Sequence, residues 1–226
     1  MRMGMMEQIL FSWSGGKDSA MALKCLLGED RYNIVSLITT VTEDYSRVSM
    51  HGFRRSLLEA QALSLGIPLY EIIIPAHCTD TDYAQKMLEA MNHWKQRGVT
   101  AVAFGDIHLA DIRTYREEKL SSAGMSALFP LWGISTKDIV HTFLDEKYRG
   151  IITCVDTTQL DCAFAGREMD ASFLRDLPAG VDPCGEKGEY HSFVFDGPIF
   201  SSPVKFKKGG TVLRDDRFCF CDLIPV

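Results

Sequence analysis

Eight residues near the start of this 226-residue chain, Ser12-Trp13-Ser14-Gly15-Gly16-Lys17-Asp18-Ser19, constrain its fold more than any other stretch. The apolar run Ile9-Leu10-Phe11 leads into them. Ala20-Met21-Ala22-Leu23-Lys24-Cys25-Leu26-Leu27, spaced as a helix, leads out. A strand, a glycine turn and a helix N-terminus, in that order, build an anion site. Glycines let the backbone turn tightly and bring bare N–H groups close to a ligand. The helix start adds unsatisfied donors and the positive end of its dipole. Lys17 is expected to act as a mobile cation for phosphate oxygens, with the hydroxyls of Ser14 and Ser19 as donors. A Walker A loop is excluded, because it needs four residues between its first glycine and its Gly-Lys pair, and Ser or Thr after the lysine. A dinucleotide fingerprint is excluded too, since the next glycine is Gly28.

Downstream, strand and helix patterns alternate. Ile34 to Val41 is an almost continuous β-branched run, as in a strand buried on both faces of a parallel sheet. A helix is expected over Phe53 to Ser64, ended by Gly66 and Pro68, then strands over Leu69 to Ile74 and Ala101 to Phe104, flanking a helix over Asp80 to Arg97. The Met87, Leu88, Met91 and Trp94 stripe of that helix reads as core. This alternation predicts a doubly wound parallel sheet whose ligands bind at the carboxyl ends of the strands. Past a soft boundary at Leu128 to Gly133 come a helix over Thr136 to Glu146 and a strand over Ile151 to Val155. His191 to Gly197 and Gly210 to Cys221 read as antiparallel strands.

Three segments near the expected ligand edge are dense in chemistry. Thr39-Thr40 ends the second strand, where backbone groups can hold a base. Arg47 to Arg55 carries His51 before a glycine, suited to an anion or a carboxylate. Gly105-Asp106-Ile107-His108 is followed by Arg113, Arg116 and Glu117. Asp106 is a candidate for Mg²⁺, which takes few carboxylates when phosphates supply the other ligands. Arg113 and Arg116 are candidates for neutralising phosphate or substrate charge. A fourth dense stretch, Cys184-Gly185-Glu186-Lys187-Gly188-Glu189-Tyr190-His191, presents two acids across glycines, able to hold a cation, an amine or ammonium.

Net charge of −6 argues against nonspecific nucleic-acid binding. No apolar run approaches the ~20 residues of a membrane helix, and no signal peptide is visible. Seven cysteines, scattered without framework spacing, are expected as reduced thiols of a cytoplasmic protein.

Ser14 to Ser19 resembles the pyrophosphate-binding loop of the ATP pyrophosphatase superfamily. Gly105-Asp106-Ile107, Tyr115 to Glu117, Pro130-Leu131-Trp132-Gly133 and Cys184 to Phe200 narrow this to a resemblance to the diphthine–ammonia ligase family. The resemblance implies a Rossmann-like ATP-binding domain over residues 1–130 and a smaller α/β substrate domain over residues 131–226. It implies ATP-dependent amidation of a carboxylate through an adenylylated intermediate, with release of AMP and pyrophosphate. Alternatives are amidation of another acceptor, such as a corrinoid precursor, and a non-catalytic ATP sensor. A tRNA-thiolating enzyme is disfavoured, since no C-x-x-C pair or basic stripe is present.

On this reading Ser12, Ser14, Gly15, Gly16, Lys17, Asp18, Ser19, Thr39, Thr40 and Gly105 bind ATP, and Asp18 and Asp106 hold Mg²⁺. Lys17, Asp18, Asp106, Arg116, Glu186 and Glu189 serve catalysis. His51, Arg113, Glu117, Glu186, Glu189 and His191 contact the substrates. The expected partners are ATP, ammonia and a carboxylate acceptor on a protein or small molecule, with a homodimer allowed and neither membrane nor nucleic acid expected.

Overall fold

The structure, a computed structural model, describes residues 6–43, 47–48, 51–75 and 77–226. Ser49 and Met50 of the expected ligand-edge segment lie outside these residues. The fold is mixed α/β, with a largely parallel sheet flanked by helices and a separate antiparallel sheet after it.

Strand β1 (Glu7–Ser12) is the axis of the first sheet. Ile9, Leu10 and Phe11 are all fully buried, because β1 is covered on both faces and paired on both edges. It runs parallel to β2 (Tyr32–Thr42) on one side and to β5 (Ala101–Ala103) on the other. β2 pairs in parallel with β4 (Leu69–Ile74), and β5 with β6 (Ser126–Leu128). The two-residue β3 (Arg47–Val48) lies antiparallel against the end of β2. Strand order therefore grows outward through β2 and β4, then reverses to β5 and β6. The reversal lies between β1 and β5, and at such a switch point the outgoing chains diverge and leave a crevice at the strand ends. β6 is a strand that the sequence analysis does not predict; three residues are too few to show a period.

Helices α1 (Lys17–Leu27) and α2 (Arg55–Leu65) cover one face, where Ile9 and Phe11 meet Leu23 and Leu57. Helices α3 (Asp80–Lys95) and α4 (Ala110–Ser122) cover the other, where Leu10 and Val102 meet Met91 and Leu120. The alternation of Ile9, Leu10 and Phe11 thus feeds two cores, one on each side.

The second sheet has the order β8-β7-β10-β9, built from β7 (Arg149–Asp156), β8 (Tyr190–Asp196), β9 (Phe206–Arg214) and β10 (Phe218–Pro225). Helices α5 (Thr136–Asp145) and α6 (Ala171–Asp176) accompany it. Gly210 to Cys221, expected as a strand, spans a hairpin instead. The chain reverses at Asp215 and Asp216, whose φ angles of 51° and 49° place both in the left-handed region. Aspartate tolerates that region well enough to turn a hairpin without glycine.

The expectation of seven reduced thiols also needs correction. Cys162, on a short 3-10 turn, and Cys219, on β10, are joined as a disulfide with their Cα atoms 5.6 Å apart. They are 57 residues apart in sequence, so only the packing of the turn against the sheet brings them together.

Candidate active site

The glycine loop sits at the switch point, between the ends of β1 and β5. Gly15 has φ of +77°, and a Cβ there would lie 2.5 Å from the Phe53 ring and 2.7 Å from Gln61 Oε1. Only glycine fits. The Gly15 carbonyl accepts from Val194 N (2.9 Å) and from Gln61 Nε2 (3.0 Å). Gln61, fully buried on α2, also donates to Val194 O (2.6 Å) and accepts from Trp13 Nε1 (2.9 Å). One amide side chain thereby ties the loop to α2 and to β8 of the second sheet. Within the loop, Ser14 Oγ donates to Ser19 Oγ (3.1 Å), and Ser19 Oγ donates to Gly16 O (2.9 Å). Lys17 N, at the start of α1, donates to Ser192 Oγ of β8 (3.1 Å).

A cavity of about 300 Å³ opens in front of the loop. Ser12, Ser14, Gly16, Asp18 and Ser19 line one wall, and Gly105, Asp106 and Arg116 another. His51, Glu186, His191 and Ser192 close it from the far side. A second cavity of about 190 Å³ shares Ser12, Ser14, His51, Phe104 and Arg116 and extends to Thr39 and Thr40. The expected ATP-site and substrate-site residues are therefore largely gathered in one place. Gly105 is placed there by close packing, since a Cβ on it would lie 3.0 Å from Asp18 C and Ser19 N.

Lys17 departs from expectation. Its side chain is fully buried, pairs with Asp18, and does not line the cavity. Burial works against its charge, but Asp18 and Cys184 outweigh that and hold its pKa above the usual lysine value. Buried and paired, it is not the mobile cation expected.

Asp106 and Arg116 form an ion pair across the cavity floor, with Arg116 Nε 2.9 Å from Asp106 Oδ2. That contact is at ion-pair distance but poorly aligned for a hydrogen bond, so both buried atoms lack a hydrogen-bond partner. Burial raises the Asp106 pKa, and Arg116 opposes the shift. The guanidinium also lies over the Phe104 ring, 4.2 Å from its centroid.

Arg113 and Glu117 fall outside both cavities. They pair with each other on α4 at 2.7 Å, and Arg113 stacks over Trp132 at 4.6 Å. The two acids of the late glycine stretch separate. Glu186 lines the cavity, and its Oε1 accepts from Ile107 N (3.0 Å) and His108 N (3.3 Å). Burial raises its pKa. Glu189, expected beside it at the ligand, is 1% exposed and turned into its own loop, accepting from Asp182 N and Lys187 N, both at 2.9 Å.

His51 and His191 face each other with ring centroids 4.8 Å apart. Burial, helped by His191 and by Lys17, lowers the His51 pKa to about 3, and burial lowers that of His191 as well. Both imidazoles are neutral at pH 7. The His51 segment is held against the second sheet by Arg47 and Arg54, which both pair with Asp222 of β10 (3.0 and 2.7 Å).

Sequence reasoning missed Ser192 and Gln61, whose roles depend on β8 lying across the loop. Of the stripe expected as core, Met91 is buried and Met87 and Trp94 pack against the same cluster, but Leu88 is 42% exposed; Met87 also lines the second cavity with Tyr83. Among the described residues no group of three or more His, Cys, Asp or Glu is arranged to hold a metal alone. Asp18 and Asp106 both line the cavity, and two carboxylates suit a Mg²⁺ site whose remaining ligands come from phosphate.

Comparison with known proteins gives two family matches in chain order. The family model for the diphthamide synthase N-terminal domain matches residues 6–127, and that for the diphthamide synthase C-terminal domain matches residues 135–221. Among curated proteins, the diphthine–ammonia ligase of Danio rerio is 25% identical over 229 residues, covering 90% of this chain and 88% of the relative. The Homo sapiens enzyme of the same name is 26% identical over 220 residues, covering 84% and 79%. The match to that of Bos taurus is 26% over 176 residues and spans 64% of the relative's length.

Proposed function

The chain belongs to the diphthamide synthase family, and on that premise we propose that it is an ATP-dependent ligase joining ammonia to a carboxylate through an acyl adenylate. One observation carries the reading. The anion loop of the first sheet and Glu186 of the second domain face the same cavity. Phosphate chemistry and an amine-binding carboxylate are thereby within reach of each other.

The loop amides and the start of α1 hold the terminal phosphates, so the β,γ unit is the leaving group. A carboxylate oxygen of the acceptor attacks the α-phosphorus, the α–β bridging bond breaks, and pyrophosphate departs. Arg116 faces the charge that develops there. Asp18 and Asp106 would hold Mg²⁺, which offsets phosphate charge when bound. Thr39 and Thr40 border the adjoining cavity, where the nucleoside fits. The nitrogen of ammonia then attacks the acyl carbon, AMP leaves, and the nitrogen loses a proton. Glu186 holds the incoming ammonium or amine, and the neutral His51 and His191 accept hydrogen bonds beside it.

The test is product analysis with labelled ATP across carboxylate acceptors, diphthine included. AMP and pyrophosphate in equal amounts, dependent on both acceptor and ammonia, are expected. ADP and phosphate would end the reading. Turnover with another acceptor but not with diphthine would reassign the substrate, and tight ATP binding without cleavage for every acceptor would make the protein a sensor.

A further inference from the structure

The hydroxyls around the anion loop do not have equal freedom. Ser14 directs its proton to Ser19, and Ser19 directs its own to the Gly16 carbonyl. Both are committed to holding the loop's shape. Ser192, from the second domain, is different. It is 4% exposed, lines the cavity, and uses its oxygen to accept from Lys17 N. No acceptor for its proton is found among the described residues. A hydroxyl can accept one hydrogen bond and donate another at once. Ser192 therefore presents a free donor beside the first amide of α1, where an anion gains most from the helix end.

Its position is fixed from both sides. Val194, two residues on and on the same face of β8, donates its N–H to the Gly15 carbonyl and accepts at its own carbonyl from the Gln61 side-chain amide. The carbonyl of Ser192 itself lies 3.3 Å from His51 Nδ1. The strand cannot slide without breaking the loop's own contacts.

We infer that Ser192 is a phosphate-binding residue, so that the second domain supplies a donor to the pyrophosphate unit of the nucleotide. The inference rests on the nucleotide reading above. It predicts a loss confined to ligands that carry the terminal phosphates.

Isothermal calorimetry with ATP, inorganic pyrophosphate and AMP separates the cases, using wild type, Ser192→Ala and Ser192→Thr. Ser192→Ala is expected to weaken ATP and pyrophosphate about tenfold, the scale of one hydrogen bond to a charged group, and to leave AMP unchanged. Ser192→Thr, which keeps the hydroxyl, is expected to restore binding. Equal affinity of wild type and Ser192→Ala for pyrophosphate would overturn the inference while leaving the nucleotide reading intact. An equal loss for all three ligands would also overturn it, by assigning Ser192 to loop structure alone. Wild type that binds neither ATP nor pyrophosphate would overturn the nucleotide reading itself, and the inference with it.

Discussion

Gly105 is packed against the backbone of Ser19. A side chain at Gly105 would place its Cβ 3.0 Å from Ser19 N and from Asp18 C, atoms that belong to the first turn of α1. The end of β5 and the start of α1 thus fix each other's position. Gly105→Ala is expected to cost about 1–3 kcal/mol, typical of overpacking, and to weaken ATP binding by moving the α1 amides. Urea unfolding and calorimetry on the same sample check both effects. A variant with unchanged stability and unchanged ATP affinity would show that the contact relaxes freely.

Lys17 provides a test of position against charge. It is a buried cation that interacts with Asp18 and Cys184. Lys17→Met is expected to lower stability by about 1–3 kcal/mol, because Asp18 loses its partner while remaining partly buried. A freely solvated lysine would change stability by less than about 0.5 kcal/mol. Chemical denaturation distinguishes the two.

The two glutamates of the late glycine stretch are expected to respond in opposite ways. Glu189→Gln keeps one acceptor oxygen but places its amide NH₂ against the other of the two backbone donors, Asp182 N or Lys187 N, so it costs stability on the order of 1–3 kcal/mol. Glu186→Gln should leave the fold near wild type and depress amide formation. Parallel melts and turnover assays decide. A Glu189→Gln protein of normal stability with lost turnover would return Glu189 to the chemistry.

His51 sets a pH window. Its folded pKa of about 3 lies below the ordinary histidine value of 6.5, so the unfolded chain binds the extra proton first. Stability from this group is fully present above pH 6.5 and falls as pH drops toward 3, by up to about 1.4 kcal/mol per pH unit for each proton. His191, also lowered, acts in the same direction. Asp106 and Glu186, raised by burial, act in the opposite direction. The clean measurement is therefore a difference. The gap in unfolding free energy between His51→Gln and wild type should narrow or reverse between pH 6.5 and 4.5. A gap that does not vary with pH would show that His51 titrates normally.

The parts of the site that could be read from sequence are those whose function is local. Ser12 to Ser19 announces its turn through two glycines and a following helical pattern, and the alternation of strands and helices gives the switch point. Asp106 follows its strand directly, so its place at a carboxyl edge also comes from order alone. Arg113 and Glu117 looked equally promising, but α4 turns them away from the cavity and into a pair with each other. Nothing in a one-dimensional pattern sets that helix's rotation. Gln61 reads as one more residue on an amphipathic helix, and Ser192 as one alternating position in a strand. Their roles appear only when the two sheets meet. Glu189 and Glu186 share one motif, yet the one glycine between them, Gly188 with φ of 83°, lets one carboxylate turn inward and the other outward.

That Lys17 N is bonded to Ser192, 175 residues later in the chain, has a consequence for biosynthesis. At about 5–20 residues per second, roughly 9–35 s pass between synthesis of the loop and synthesis of the strand that completes it. Through that interval the nascent chain carries an anion loop whose Lys17 and Gly15 contacts to β8 cannot form. On the proposed function, the nucleotide site is completed only once β8 has been made, and a chain stopped before Val194 is expected to bind ATP more weakly than one that contains it.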